Sequence, residues 1–349
     1  DTNRNFIYRS GALDIVGLNY HQGLYDSIGE RFPGRPFLAT ETTSALETRG
    51  HYDMPADSIR RWPQGPKEPL KGGNRDWTVS AYDNVSAYWG STHEETWKAA
   101  KRNPAVAGLF VWTGWDYIGE PTPYAWPARS SYFGIVDLAG FPKDIYYMYQ
   151  AEWTARRVLH LFPHWNWHAG DSVDVWAYYN RADSVLLFLN GKPLGARSKA
   201  GQDLHVSWRV AWRPGTLKAV AMERGKAVAV DSVRTAGPAV QIRLQADRKI
   251  IHADGKDLCF VTIGITDATG NLVPDAAMQL RCEVSGAGSL AGMDNGYEAD
   301  LESFRGDRHH AYNGLCLAIV RAVKTQGAIF VRVSGYGLAP ATVTIRAVR

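Results

Sequence analysis

The sequence predicts a chain of two textures, α/β over roughly its first 155 residues and all-β from there to the end. Three observations carry that reading. The hydrophobic period changes near Asp171, from apolar runs mixed with helix-like stretches to a steady alternation of two. Charge changes with it: residues 1–155 hold 15 Lys+Arg against 18 Asp+Glu, residues 156–237 hold 12 against 6, and residues 238–349 hold 12 against 11. All 13 Trp lie between Trp62 and Trp212, so the chain's 349 residues have unequal jobs. At roughly 100–200 residues per domain, that length calls for two or three domains.

In the first segment the runs Asp14–Asn19, Pro36–Thr40 and Val106–Trp112 read as buried parallel strands. Trp77–Lys101 reads as helical, stopped by Asn103-Pro104, and Lys143–Thr154 as a second helix just past Pro142. Strand and helix in alternation make βα units. Beyond Asp171 the inward positions are Val173-Val175-Ala177, Val185-Leu187-Leu189 and Val206-Trp208-Val210-Trp212, separated by turns at Asn190-Gly191 and Pro214-Gly215. A hairpin at Arg224-Gly225 joins Lys218–Glu223 to Ala227–Val233, completing an antiparallel sandwich. After a link at Gly237-Pro238 the pattern repeats, with strands near Val240–Ala246, Leu258–Thr266, Gln279–Ser285, Gly314–Ala322, Ala328–Ser334 and Thr342–Val348.

Composition excludes several classes. Apolar residues make up 45% and charged residues 21%, with no apolar run long enough for a membrane-spanning helix. A net charge of +4 without a block of like charge gives no footprint of a nucleic-acid binder. Cys259, Cys282 and Cys316 are odd in number and sit in strand-like runs, where they read as small buried apolar residues. The chain opens on Asp1 with no signal-peptide pattern, which reads as an excised piece or a trimmed front.

Functional residues are expected where parallel strands end, since a βα barrel builds its site from those ends. Three ends qualify: Asn19-Tyr20-His21, Thr40-Glu41-Thr42 and Trp112 through Tyr117. Glu41 would turn a carboxylate towards the mouth, although a strand-end Glu is more often a solvated or capping residue. Trp112 and Trp115 offer flat apolar faces suited to the C–H face of a sugar, or simply to a core.

The runs Asp14-Ile-Val-Gly-Leu-Asn-Tyr20, Pro36-Phe-Leu-Ala-Thr-Glu-Thr-Thr-Ser44 and Gly108-Leu-Phe-Val-Trp-Thr-Gly-Trp-Asp-Tyr-Ile-Gly-Glu-Pro-Thr-Pro-Tyr124, with Ser130-Ser-Tyr-Phe-Gly-Ile-Val-Asp-Leu-Ala-Gly-Phe-Pro-Lys-Asp144, resemble glycoside hydrolase family 2, the β-galactosidase family. Pro163-His-Trp-Asn-Trp167 and Leu187-Phe-Leu-Asn-Gly-Lys192 resemble the sandwich appended to its barrel. The resemblance implies a partial (β/α)8 TIM barrel, its last strands only, over 1–155, and immunoglobulin-like β-sandwich domains over 156–237 and 238–349. It makes Glu41 the nucleophile of a retaining hydrolase of terminal β-galactosides, Tyr20 its hydrogen-bonding partner and Trp112 the floor under the sugar, with Asn19 and Trp115 as neighbours. The acid/base Glu of the family lies on an earlier strand, so the chain by itself is expected to be inactive. Glu94 and Glu95 are expected to face solvent, Glu47 to lie in the loop after the nucleophile, and Glu120 to sit in a loop near the mouth.

No organic cofactor and no metal ligands are expected, while the resemblance leaves room for a divalent or monovalent ion and for oligomers. The partner class is a β-galactoside-containing carbohydrate, met outside the cytosol in a secreted or periplasmic setting. A β-glucuronidase or β-mannosidase of the same family, and a non-catalytic carbohydrate-binding protein, are the competing readings. Elsewhere, His160, His164 and His168 fail as a metal set because Pro163 breaks their helix, His309-His310 reads as loop, Gly286–Gly292 as a turn between strands, and Asp294-Asn295-Gly296 as a tight turn. Trp165 and Trp167 are expected to pack the first sandwich against the barrel.

Overall fold

A computed structural model describes residues 5–65 and 73–349. Strands β1 (Val16–Asn19), β2 (Phe37–Thr43) and β3 (Val106–Trp112) form a parallel sheet in that order. On one face Val16, Leu18, Phe37 and Ala39 are buried against Tyr25, Ile28 and two alanines, Ala99 and Ala100, of helix α1 (His93–Lys101). The other face stays open, with Asn19, Thr40 and Phe110 exposed.

The helix read over Trp77–Lys101 forms only as α1. Thr92 caps it, accepting from Glu95 N, while the Glu95 side chain accepts from Thr92 N, a reciprocal box that fixes the start. Upstream, the chain spends its backbone hydrogen bonds on the loop after β2 instead: Leu46 N donates to Val85 O (3.0 Å), Thr48 N to Val79 O (2.9 Å) and Ala87 N to Ser44 O (3.0 Å). Tertiary pairing overrides local helical preference there. Helix α2 (Ile145–Trp153) lies where it was expected.

Seven strands follow: β4 (Leu159–Phe162), β5 (Ser172–Tyr179), β6 (Ser184–Leu189), β7 (Lys192–Arg197), β8 (His205–Ala211), β9 (Thr216–Glu223) and β10 (Lys226–Arg234). They make two sheets, β8-β5-β4 and β10-β9-β6-β7, that share one core of Val173, Val175, Leu187, Trp208 and Ala219. Each such Val or Leu contributes about 1.5–3 kcal/mol on burial. Trp165 belongs to this core, fully buried, whereas Trp167 stacks on His164 and reaches Tyr52 of the first segment. Of these two, Trp167 is the one that packs between units.

The last unit holds β11 (Gln241–Ala246), β12 (Ile250–His252), β13 (Leu258–Thr266), β14 (Gln279–Gly286), β15 (Gly288–Asp294), β16 (Arg308–His310), β17 (Leu315–Ala322), β18 (Gly327–Gly335) and β19 (Leu338–Val348). The order is β15-β17-β13-β11-β19-β18-β14-β16, with β12 beside β19. Strand β19 joins two layers, meeting β11 only at Gln241 and Ala339. Between the layers Cys259, Val261 and Ile263 face Ile329, Val331 and Val333, and all three cysteines are buried and free.

Two expectations fail here. The Gly286–Gly292 turn shrinks to Gly286 (φ +85°), because Gly288–Asp294 pairs with β17 as a strand. His309 lies in a strand, fully buried beside Asp300 (3.3 Å) and Glu302 (3.3 Å), since β16 extends the sheet edge inward. The turn at Asp294-Asn295-Gly296 is present, with Asp294 Oδ1 accepting from the next two N–H groups.

That turn opens a loop which seats in the first segment. Arg49, buried, donates to Asp137 Oδ2 (2.6 Å), Asn295 O (2.9 Å) and Tyr312 O (3.2 Å). Glu298 O accepts from Arg129 N and Ser130 N, and Ala299 packs with Tyr132 and Phe133. A Cβ on Gly296 would lie 2.1 Å from the Asp137 carboxylate, so only glycine fits.

Candidate active site

The site is built on an irregularity in β2. Leu18 pairs with Ala39 and Asn19 with Glu41 on one side, while Ala39 pairs with Leu109 and Thr42 with Val111 on the other. Strand β2 therefore carries one residue more than either neighbour at Thr40-Glu41. Such a bulge re-aims the side chains it holds. The strand also runs to Thr43, so Glu41 sits within it rather than after it.

The chain leaves this bulge strained. Tyr20 (φ +57°), Thr43 (φ +68°) and Ser44 (φ +58°) are all left-handed, a rare conformation for a β-branched residue such as Thr43. What holds them is local: Thr43 Oγ1 donates to Trp112 O (2.9 Å), Ser44 N to the same carbonyl (3.2 Å), and Ser91 N to Thr43 O (2.7 Å). Gly90 allows that last approach, because a Cβ there would stand 1.8 Å from Thr43 O.

These turns assemble a chain of donors that ends at Glu41. Trp89 Nε1 donates to Ser44 Oγ (3.1 Å) and Ser44 Oγ to the Tyr20 hydroxyl (2.9 Å), and that phenol lies near the Glu41 carboxylate. Burial first, and then the neighbouring Glu41 carboxylate, hold the Tyr20 phenol well above its ordinary range, against the opposing donation from Ser44. Tyr20 therefore remains a neutral donor through the physiological range. Tyr20 N also donates to Glu41 O at 2.5 Å.

Trp112, half-buried at the end of β3, meets Tyr117 edge to face at 5.8 Å. The Tyr117 hydroxyl donates to Glu120 Oε2 (2.5 Å). Burial and then Glu120 raise the Tyr117 phenol, and Tyr20 lies close enough to add to the shift.

The structure thus groups Glu41, Tyr20 and Trp112, and ties Glu120 to them through Tyr117. Asn19 is exposed on the open face, its Oδ1 accepting from Thr40 Oγ1 (2.8 Å). Trp115 is not in this group: it is 65% exposed and borders a recess with Phe141, Phe260 and Leu317 beside the last unit. Ser44, Trp89 and Tyr117 escaped sequence reasoning. Only the positions of Ser44 and Tyr117, within a few residues of a strand end, pointed towards them.

Below the site the expectation of a solvent-facing Glu94 is corrected. It is buried, bonded to His205 Nδ1 (2.5 Å) and Lys98 (2.8 Å), because the first sandwich packs over this side of α1. Glu95 is half-buried and grips Arg61 with both oxygens at 2.8 Å. Among the described residues two buried donor sets come within 4.8 Å, Glu47-Asp83-His93 and Asp294-Asp300-His309. In the first, burial and then Glu94 push Asp83 up to about 7, and burial pulls His93 down to about 3. Burial also raises Glu47 well above the carboxylate range, and its two oxygens have no hydrogen-bond partner among the described residues. Lys143, fully buried, stands 2.7 Å from Asp116 and 3.9 Å from Glu298 and donates to Glu47 O (2.6 Å). Those carboxylates keep Lys143 charged against burial.

Comparison with known proteins bears on the same segments. Residues 242–344 match the model of glycoside hydrolase family 2 C-terminal domain 5. Beta-galactosidase BoGH2A of Bacteroides ovatus is 49% identical over 343 residues, 98% of this chain and 40% of the relative. The chain belongs to glycoside hydrolase family 2. A putative beta-glucuronidase of Formosa agariphila is 30% identical over 85% of this family 2 chain and 31% of its own length. The crystal structure of a beta-glycosidase from Bacteroides vulgatus superimposes with a TM-score of 0.85 at 28% identity, covering 97% of this chain and 46% of that one. The chain therefore spans less than half the length of these relatives. Residues 170–229 match a model described only as a domain of unknown function (DUF4982).

Proposed function

We propose that this chain carries the nucleophile half of a retaining β-galactosidase, with β1 to β3 as the closing strands of a (β/α)8 barrel. The observation that carries the reading is the bulge that sets Glu41 against the Tyr20 phenol. Retaining hydrolysis needs an ionised carboxylate to attack the anomeric carbon and a protonated one roughly 5–5.5 Å away to release the leaving oxygen. The neutral Tyr20 phenol beside Glu41 can fix the aim of the carboxylate without adding charge. Trp112, steadied by Tyr117, supplies the flat face under the sugar ring.

The proton donor comes from a segment outside these 349 residues, so the isolated chain is inactive. A β-galactosidase relative at 49% identity supports a galactoside as substrate. Glucuronides are served less well, since the groups around Tyr20 and Glu41, Ser44 and Trp89, offer no positive charge for a carboxylate.

In the complete protein, Glu41→Gln should lower turnover of an aryl β-galactoside by at least about a thousandfold while leaving ligand binding within a few-fold. A 2-fluoro galactoside should label Glu41, detected by peptide mass spectrometry. Label on another carboxylate, or activity that survives Glu41→Gln, sinks the assignment.

A further inference from the structure

The site uses none of the excess charge of the first sandwich. Residues 156–237 carry a net +6, more than the +4 of the whole chain, and the fold gathers part of it in one place. Strands β7 and β8 are the free edges of the two sheets, and between them opens a cleft of about 600 Å³, within the usual ligand-pocket range. Lys192 and Arg197 reach it from β7, Arg209 from β8 and Arg213 from just beyond. Arg209 is neutralised by Asp174 (2.7 Å) and Asp57 (2.8 Å). Lys192, Arg197 and Arg213 are exposed and have no ion-pair partner among the described residues, and no acidic residue lines the cleft.

The floor is of another kind. Exposed Leu194 lines it above Val210 and Trp208, which belong to the sandwich core, and Arg197 lies 6.0 Å over the Trp208 ring. Charged residues on free edges also prevent edge-to-edge pairing. That accounts for a cation on each strand, but mixed signs would serve as well.

We infer that this cleft binds an acidic oligosaccharide, with the apolar floor against the sugar rings and Lys192, Arg197 and Arg213 on its carboxylate or sulfate groups. It lies within the segment matched to a domain of unknown function, and it does not depend on Glu41.

Calorimetric titration of the 349-residue chain tests this with four probes: trigalacturonic acid, a sulfated galactose trisaccharide, neutral galactotriose and an oligoglutamate of equal charge. The acidic sugars should bind at least about tenfold more tightly than galactotriose and oligoglutamate, and physiological salt should weaken them. Whichever acid binds more tightly identifies carboxylate or sulfate as the natural group. The double variant Arg197→Ser, Arg213→Ser should lose at least about tenfold in affinity with an unchanged melting temperature. Equal affinity for the neutral sugar, equal affinity for oligoglutamate, no binding of either acid, or an unaffected double variant would each overturn the proposal.

Discussion

The parallel sheet and the last sandwich are held by different means. Between the layers of the last unit almost every inward residue is apolar and buried, from Cys259 through Ile263 to Val333. The parallel sheet buries one face on α1, leaves the other open, and has at its C-terminal end a buried charge system of Lys143, Asp116, Glu298 and Arg49. Apolar contacts tolerate adjustment, whereas a buried charge is either paired or very costly. The region with the strained backbone and the candidate nucleophile thus depends on directional contacts, as a site needing fixed geometry does.

The sharpest way to break this contrast is Lys143→Met. Removing the cation leaves Asp116 and Glu298 buried together, with an expected loss of about 3–5 kcal/mol in denaturant unfolding. A loss under about 1 kcal/mol would place the stability of this region elsewhere. Next is Leu280→Ala, fully buried in the last sandwich, at about 3 kcal/mol from lost transfer energy plus a cavity.

Glu47→Gln should act through pH. Burial raises the folded pKa of Glu47, so its contribution is whole below the ordinary carboxylate range and is lost as pH rises towards the folded value. Gln carries no such proton. The variant should match the parent near about pH 4 and gain on it by up to about 1.4 kcal/mol per pH unit above that, read from melting curves. A gap that narrows with pH would reverse the assignment. Least costly is Phe110→Ser, 61% exposed, expected within about 0.5 kcal/mol in this chain. In the complete protein the same change should cost about 3 kcal/mol if further strands cover that face.

Where one face of a strand meets a core and the other meets water, the sequence is easy to read. Leu258–Thr266 and Thr216–Glu223 alternate visibly, and both strands lie where that alternation puts them. Strand β7 has no buried residue, so Lys192–Arg197 offers no alternation. The stretch from Trp77 to Ser91 misleads for another reason, since its partners are residues 43–51, some 30 to 48 positions away. The Thr92–Glu95 box marks the helix start better than apolar spacing does. At the site, Tyr20 and Trp112 stand at strand ends and Glu41 two residues short of one, positions that topology alone makes conspicuous. The left-handed turns at Thr43 and Ser44, and the reach of Trp89 across 45 residues to Ser44, are tertiary facts that no local pattern announces.

The loop from Asn295 to Asp300 bears on how such chains diversify. A recombination joint at Gly237-Pro238 falls between compact units and would look harmless at the level of the gene. It would separate Arg49 from the carbonyls of Asn295 and Tyr312, and Lys143 from Glu298. A replacement unit would have to bring a loop of the same shape, with glycine at the position against Asp137. The last sandwich and the segment that holds Glu41 are therefore expected to be inherited together, and to change together, although nearly 200 residues of chain lie between them.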